Sequence, residues 1–248
     1  MDCKLVRTQA EFDEAIKAGF CAEVTEGEFS ASGAASVYAR GSASVRASGS
    51  ASVRASDSVT VHAWDSAIVH AFDSATVHAL GSAIVHALGS ATVHTRGSAT
   101  VRAWDSATVH ASGSATVRAF DSAIVRAFDS AIVHAFDSAT VHALGSATVH
   151  ARDLATVHAF DSATVHARDL ATVRASTYVA VTIAATFKGQ ISGGRQIRIP
   201  KLKTIKEWCA FYVHEMDRAR VSEYSEQVDT HNLLCTGAKG GGCERTIR

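Results

Sequence analysis

Residues 121–144 read DSAIVRAFDSAIVHAFDSATVHAL, one eight-residue phrase written three times. The third, fifth and seventh places of each phrase hold Ala, Val and Ala. The second, fourth and sixth hold Ser, Ile or Thr, and Arg or His. Alternation with a period of two belongs to a strand that buries one side. A helix is excluded, because eight residues turn it by about 800°, roughly 80° beyond whole turns, and the valines would spiral around it. The Asp that opens each phrase tolerates the left-handed backbone of a tight corner.

Outward from this stretch the octads run without insertion from Gly33 to Ala184, and valine keeps the fifth place from Val37 to Val181. The first place is Gly or Asp in every octad from Gly33 to Asp169. Each octad therefore reads as one short strand plus one corner, repeated at a fixed period. An antiparallel meander of so many strands leaves its Ala-Val-Ala face uncovered. A coil of two octads closes that face against its own second side. The predicted fold is all-β, a two-sided parallel β-solenoid with two octapeptides per coil, about ten or eleven coils and on the order of 50 Å long at ~4.8 Å per coil.

Weaker copies flank the repeat. TEGEFSAS puts Phe29 in the valine place, TYVAVTIA points Val179, Val181 and Ile183 inward, and GGRQIRIP does the same with Ile197 and Ile199. A solenoid exposes a sheet edge at each end, which invites aggregation unless covered. Thr8 and Glu11 form a capping box ahead of a short amphipathic helix with Phe12 and Ile16 on one face and Gly19 as its stop. Thr204 and Glu207 repeat the device before Trp208, Phe211 and Tyr212. The expected organisation is an N-terminal capping helix region over 1–24, the solenoid over 25–200, and a C-terminal capping helix with a poorly ordered tail over 201–248.

The octads, with units such as DSATVHA and GSASVRA followed by Glu207-Trp208-Cys209, resemble the octapeptide-repeat proteins of uncharacterised function from bacterial and phage genomes. That resemblance implies a β-solenoid and carries no catalytic residues. A looser likeness, in the octad length, the Gly-Ser step and the outward Thr, is to bacterial ice-nucleation proteins. Thr-x-Thr pairs are missing here, since Thr76 is followed two places on by His78 and Thr100 by Arg102.

With 24 Lys+Arg against 24 Asp+Glu the chain advertises neither a nucleic-acid nor a membrane partner. No 18-residue apolar run and no basic-then-apolar start is present, so a cytoplasmic protein is expected, or one of the virion or host cytoplasm if a phage encodes it. The five cysteines avoid the repeats and are odd in number, which favours reduced thiols and leaves one pair open near the C-terminus.

The sixth place is His in eleven octads and Arg in six. Arginine does not ligate metals at neutral pH, so a metal column is not expected, and stacked imidazoles should titrate low. Free exchange of Asp with Gly at the first place marks a corner requirement, not a catalytic acid. Cys209, His214, His231, Cys235 and Cys243 match no compact zinc motif. The reading is of no enzyme, no cofactor and no metal.

The eighth place is outward yet large and apolar. With two octads per coil it divides between two edges. One edge reads Arg40, Ser56, Phe72, Leu88, Trp104, Phe120, Phe136, Arg152, Arg168. The other is interrupted by Arg96 and Ser112 between Leu80 and Phe128. A five-coil apolar stripe rimmed by polar residues has the anatomy of an interface. Phe72, Leu88, Trp104, Phe120 and Phe136, widened by Ile68, Ile84 and Ile132, are the candidate partner-binding residues. The partner is expected to be a second copy of the chain or another protein. The alternative function is ice binding through outward Ser and Thr.

Overall fold

The structure, a computed structural model, describes residues 2–198. It is an all-β parallel solenoid of about 12 turns. Eighteen four-residue strands follow one another every eight residues, from Glu28–Ala31 to Thr164–Ala167. Each pairs in parallel with the strand sixteen residues away on either side, so Val85 lies between Val69 and Val101, and Val109 between Val93 and Val125. Alternate strands thus build two opposed sheets. Between them lies a core of the fifth-place valines and the third- and seventh-place alanines, almost all wholly buried. Alternation makes every inward side chain small enough for two sheets to close on each other without a third.

Corners are made as their residue types predict. All ten first-place Asp residues have φ between 52° and 59°. Gly41 meets a stricter demand: a Cβ there would stand 2.6 Å from the carbonyl oxygen of Thr25, so Asp cannot replace it as it does elsewhere. The last octad opens with Thr177, which does not favour that backbone. The strand there runs unbroken over Thr172–Ile183, pairing first with Thr156–Ala159 and then with Thr164–Ala167. Val179, Val181 and Ile183 are buried as expected, and Phe29 is buried opposite Val45. Ile197 is only half-buried, on the strand Gln190–Arg198, and Ile199 lies outside the described residues.

At the N-terminus β1 (Cys3–Leu5), α1 (Gln9–Lys17) and β2 (Cys21–Val24) close the first coil. Thr8 caps α1, accepting from the Glu11 N–H, while the Glu11 carboxylate accepts from the Arg7 N–H at 2.7 Å. The helix ends at Gly19 with φ 81°, where the Phe20 N–H donates to the Ala15 carbonyl and the Gly19 N–H to that of Ile16, the paired bonds of a left-handed stop. Phe12 is buried against Phe29, and Ile16 is partly buried beside the core, so α1 seats its apolar face on the open end of the stack. The expected C-terminal helix from Thr204, and the tail with its three cysteines, lie outside the described residues.

One expectation is corrected. Cys3 and Cys21 are not separate reduced thiols. They stand opposite each other in the parallel pairing of β1 with β2, their Cα atoms 4.4 Å apart, and are joined as a disulfide. The cause is that α1 carries the chain back so that the first and second strands meet in register.

Candidate functional site

Because the coil is sixteen residues, every outward place becomes a straight column of side chains one strand spacing apart. The eighth-place residues Phe72, Leu88, Trp104, Phe120 and Phe136 form such a column, each following its strand into the corner. All five are half-buried. Trp104 stacks on Phe120 with centroids 5.7 Å apart, Phe120 on Phe136 at 5.0 Å, and the Arg152 guanidinium covers Phe136 at 5.6 Å. The rings turn their faces to one another along the solenoid and their edges to solvent.

Ile68, Ile84 and Ile132 do not join that edge. They open strands whose far ends lead to Phe72, Leu88 and Phe136, so the length of a four-residue strand, about 10 Å, separates the two groups. The sixth-place column of His70, His86, Arg102, Arg118 and His134 runs between them, and His86 packs its ring against Trp104 at 5.9 Å. The three isoleucines follow the corners of Trp64, Leu80 and Phe128 and belong beside the opposite edge. Position within the octad carried this information: the fourth and eighth places lie at opposite ends of one strand.

Histidines stack in the same columns. On one sheet His62, His78, His94 and His110 lie flat on each other with centroids 4.9, 5.1 and 4.8 Å apart. On the other, His134, His150 and His166 do so at 4.8 and 4.7 Å. Burial holds the imidazoles of His94, His110, His134 and His166 below their ordinary value, with neighbouring His or Arg charges adding to it. His150 is pushed down to about 4, by burial first and then by His166, His134, Arg152 and Arg168. At these five the low titration expected from stacking is present, with desolvation as its larger cause.

The corner aspartates have a second duty that the octad alone does not reveal. Their carboxylates reach back one coil and accept the backbone N–H of the preceding corner, as Asp57 does from Gly41 at 2.9 Å, Asp105 from Gly89 at 3.0 Å and Asp129 from Gly113 at 3.0 Å. Where the donor is itself an Asp the bond lengthens, to 3.3 Å between Asp105 and Asp121 and 3.5 Å between Asp137 and Asp153. Second-place serines complete the lacing by donating to corner carbonyls, for example Ser74 to Asp57 at 2.8 Å and Ser138 to Asp121 at 2.8 Å. At these and six further corners the outward second-place Ser hydroxyl is thus engaged with the backbone.

On the second edge the interruption at Arg96 and Ser112 opens a groove of about 530 Å³. Its floor is the imidazole column from His62 to His110, and Leu80 and Phe128 stand at its two ends. Along the same stretch the first places are Gly81, Gly97 and Gly113, three corners in succession without a carboxylate, bounded by Asp65 and Asp129. Thr95, the one seventh-place residue of its kind in the core, is also here, its hydroxyl buried with no hydrogen-bond partner. Superposing the sequence at a period of sixteen brings these departures from the repeat together. Among the described residues no group of three His, Cys, Asp or Glu is placed to hold a metal ion. No helix among them is long and apolar enough to cross a membrane. The chain matched no protein-family model, no curated protein and no solved structure.

Proposed function

We propose that the protein is a non-enzymatic β-solenoid scaffold that self-associates, holding a second copy of the chain along the Trp104 edge. The observation that carries this reading is the unbroken column Phe72, Leu88, Trp104, Phe120 and Phe136, five adjacent coils of large apolar side chains on the outside of the fold. Mutual stacking shields part of each ring and leaves a continuous ridge, about 20 Å long at the strand spacing. Two such ridges related by a two-fold axis through Trp104 run antiparallel. Arg152, three coils from Trp104, then comes level with Ser56 and Asp57 of the second copy, three coils the other way. At the far end Arg40 already has Glu23 as its ion pair at 3.5 Å, so it adds little repulsion toward Arg168. An isologous contact of this kind has apolar residues at its centre and charges at its rim.

The experiment is solution mass by light scattering at tens of micromolar, for the wild type and for Trp104→Ser with Phe120→Ser. Serine already holds the eighth place at Ser56 and Ser112, so the fold accepts it. A dimer that the double change dissociates is the expected result. A monomeric wild type, or equal dissociation by Phe128→Ser on the other edge, overturns the reading and leaves the column as corner shielding.

Ice binding is the second reading, favoured by one observation. Thr60, Thr76, Thr92 and Thr108 stand in register on adjacent coils of one sheet. The rank ends at Ile124 and is accompanied by histidines in place of a second Thr rank.

A further inference from the structure

We propose that the Cys3–Cys21 disulfide is a thiol-sensitive latch: closed, it straps β1 over the end of one sheet, and reduced, it lets residues 2–5 swing away and uncover the edge of β2. The two sheets end differently. On one, β3 (Glu28–Ala31) is the first strand, and α1 seals it by packing alone. The Gln9 side-chain amide donates to the Ser30 carbonyl at 3.0 Å and accepts the Ser30 N–H at 2.8 Å, as a neighbouring strand would, while Phe12 packs against Phe29. On the other sheet β2 pairs with β4 (Ser36–Ala39) on one side and with β1 on the other, and β1 is the cover.

This cover has little of its own to hold it. The three residues of β1 are all exposed, Leu5 at 57%. Lys4 rests its ammonium over the Phe20 ring at 3.9 Å. A three-residue parallel pairing with no buried side chain belongs to the least stable part of a fold. Val6 is the first residue of this segment buried in the core, and its N–H donates to the Glu23 carbonyl at 2.9 Å. Val6 is therefore the hinge of the strap and Cys3 its fastening. Beneath it, Cys21, Ala22 and Val24 are wholly buried. Cys21 and Glu23 turn their backbone groups to β1, the Cys21 N–H donating to the Asp2 carbonyl at 3.2 Å. Val24 faces the other way, its carbonyl accepting the Arg40 N–H at 2.9 Å. Opening thus unpairs alternate residues of β2 and leaves the sheet below bonded. A strand edge with unpaired N–H and C=O groups is a template for strand addition, so the latch sets whether this end of the solenoid is open to pairing.

The step is thiol–disulfide exchange with a small dithiol. Attack comes at Cys3, which is exposed where Cys21 is wholly buried. A thiolate of the dithiol bonds to Cys3 Sγ, the Cys3–Cys21 bond breaks, and its electron pair leaves on Cys21 Sγ, which takes a proton. The second thiolate of the dithiol then attacks the mixed disulfide and displaces Cys3 Sγ, which is protonated in turn. The protein gains two electrons and two protons as two thiols, and the dithiol becomes a cyclic disulfide.

The test is residue-resolved amide hydrogen exchange of the full chain, oxidised and after dithiothreitol, beside Cys3→Ser, which cannot latch. Reduction is expected to speed exchange at Cys21 and Glu23 about tenfold or more, while Val24 and Ser30 stay protected by β4 and by Gln9. Cys3→Ser should exchange fast at Cys21 and Glu23 from the start and not respond to dithiothreitol, which separates the latch from any effect of the reductant at Cys209, Cys235 and Cys243. The proposal fails if alkylation and mass spectrometry find no Cys3–Cys21 bond after treatment with oxidised glutathione, or if reduction leaves Cys21 and Glu23 as protected as before. It fails also if Val24 and Ser30 speed up equally, because the whole end then unfolds and no strap moves by itself. None of these outcomes depends on association through the Trp104 edge.

Discussion

Replacing Asp129 separates two things that a corner residue supplies. Its φ is 55°, in the left-handed region, and its carboxylate accepts the Gly113 N–H at 3.0 Å. Asp129→Ala loses only the bond, which at an exposed corner costs about 1 kcal/mol, because Asp and Ala both carry a Cβ into left-handed geometry. Asp129→Gly loses the same bond but removes the Cβ, relieving about 1–2 kcal/mol of left-handed strain, so it should be more stable than Asp129→Ala by that amount. For a chain of this size each kcal/mol shifts Tm by about 2–4 °C, so Ala should melt about 2–4 °C below wild type and Gly about 2–8 °C above Ala. Thermal and urea unfolding followed by circular dichroism at neutral pH measure both. If Ala is as stable as wild type, the inter-coil carboxylate bond contributes nothing. If Ala and Gly unfold together, the backbone requirement at the corner is wrong.

Three further outcomes are expected. Val117→Asp puts an unpaired charge into the dry interior at mid-solenoid and should cost more than about 4 kcal/mol, read as loss of the cooperative transition or of soluble protein. Stability should fall with acid: His150 is about 4 when folded against 6.5 when unfolded, so the unfolded chain binds the extra proton between these values. Stability is then whole above pH 6.5 and lost as pH drops toward 4. His150→Gln with His166→Gln should flatten that fall in a pH series of melting curves. Purified protein should show weak or no ice shaping, because the Thr rank is short and single; clear shaping abolished by Thr76→Val and Thr92→Val would reverse this.

The fold was legible because each place in the octad does one thing. Val at the fifth place and Gly or Asp at the first state the strand and the corner, and the sixteen-residue coil follows from closing the apolar face. What stayed hidden depends on which atoms meet between coils. Nothing within DSAIVHAF says that the Asp129 carboxylate reaches back to Gly113 and not out to water. Cys3 and Cys21 are eighteen residues apart, off the period, and meet only because α1 sets their offset. Ile68, Ile84 and Ile132 were assigned to the wrong edge because octad membership was read without the direction of the strand. The break at Arg96 and Ser112 was visible, but its coincidence with Gly81, Gly97 and Gly113 emerges only when columns are built.

Because neighbours in every column are sixteen residues apart, the protein's two edges are distinguished by parity alone. Loss or gain of a single octad would keep every strand and corner legal and the core intact. It would nevertheless exchange the edges for all coils beyond it, cutting the Trp104 ridge and moving its remainder to the groove's side. Lengthening by two octads would leave both surfaces aligned. Growth by duplication can therefore preserve stability at any multiple of eight, but preserves surface identity only at multiples of sixteen.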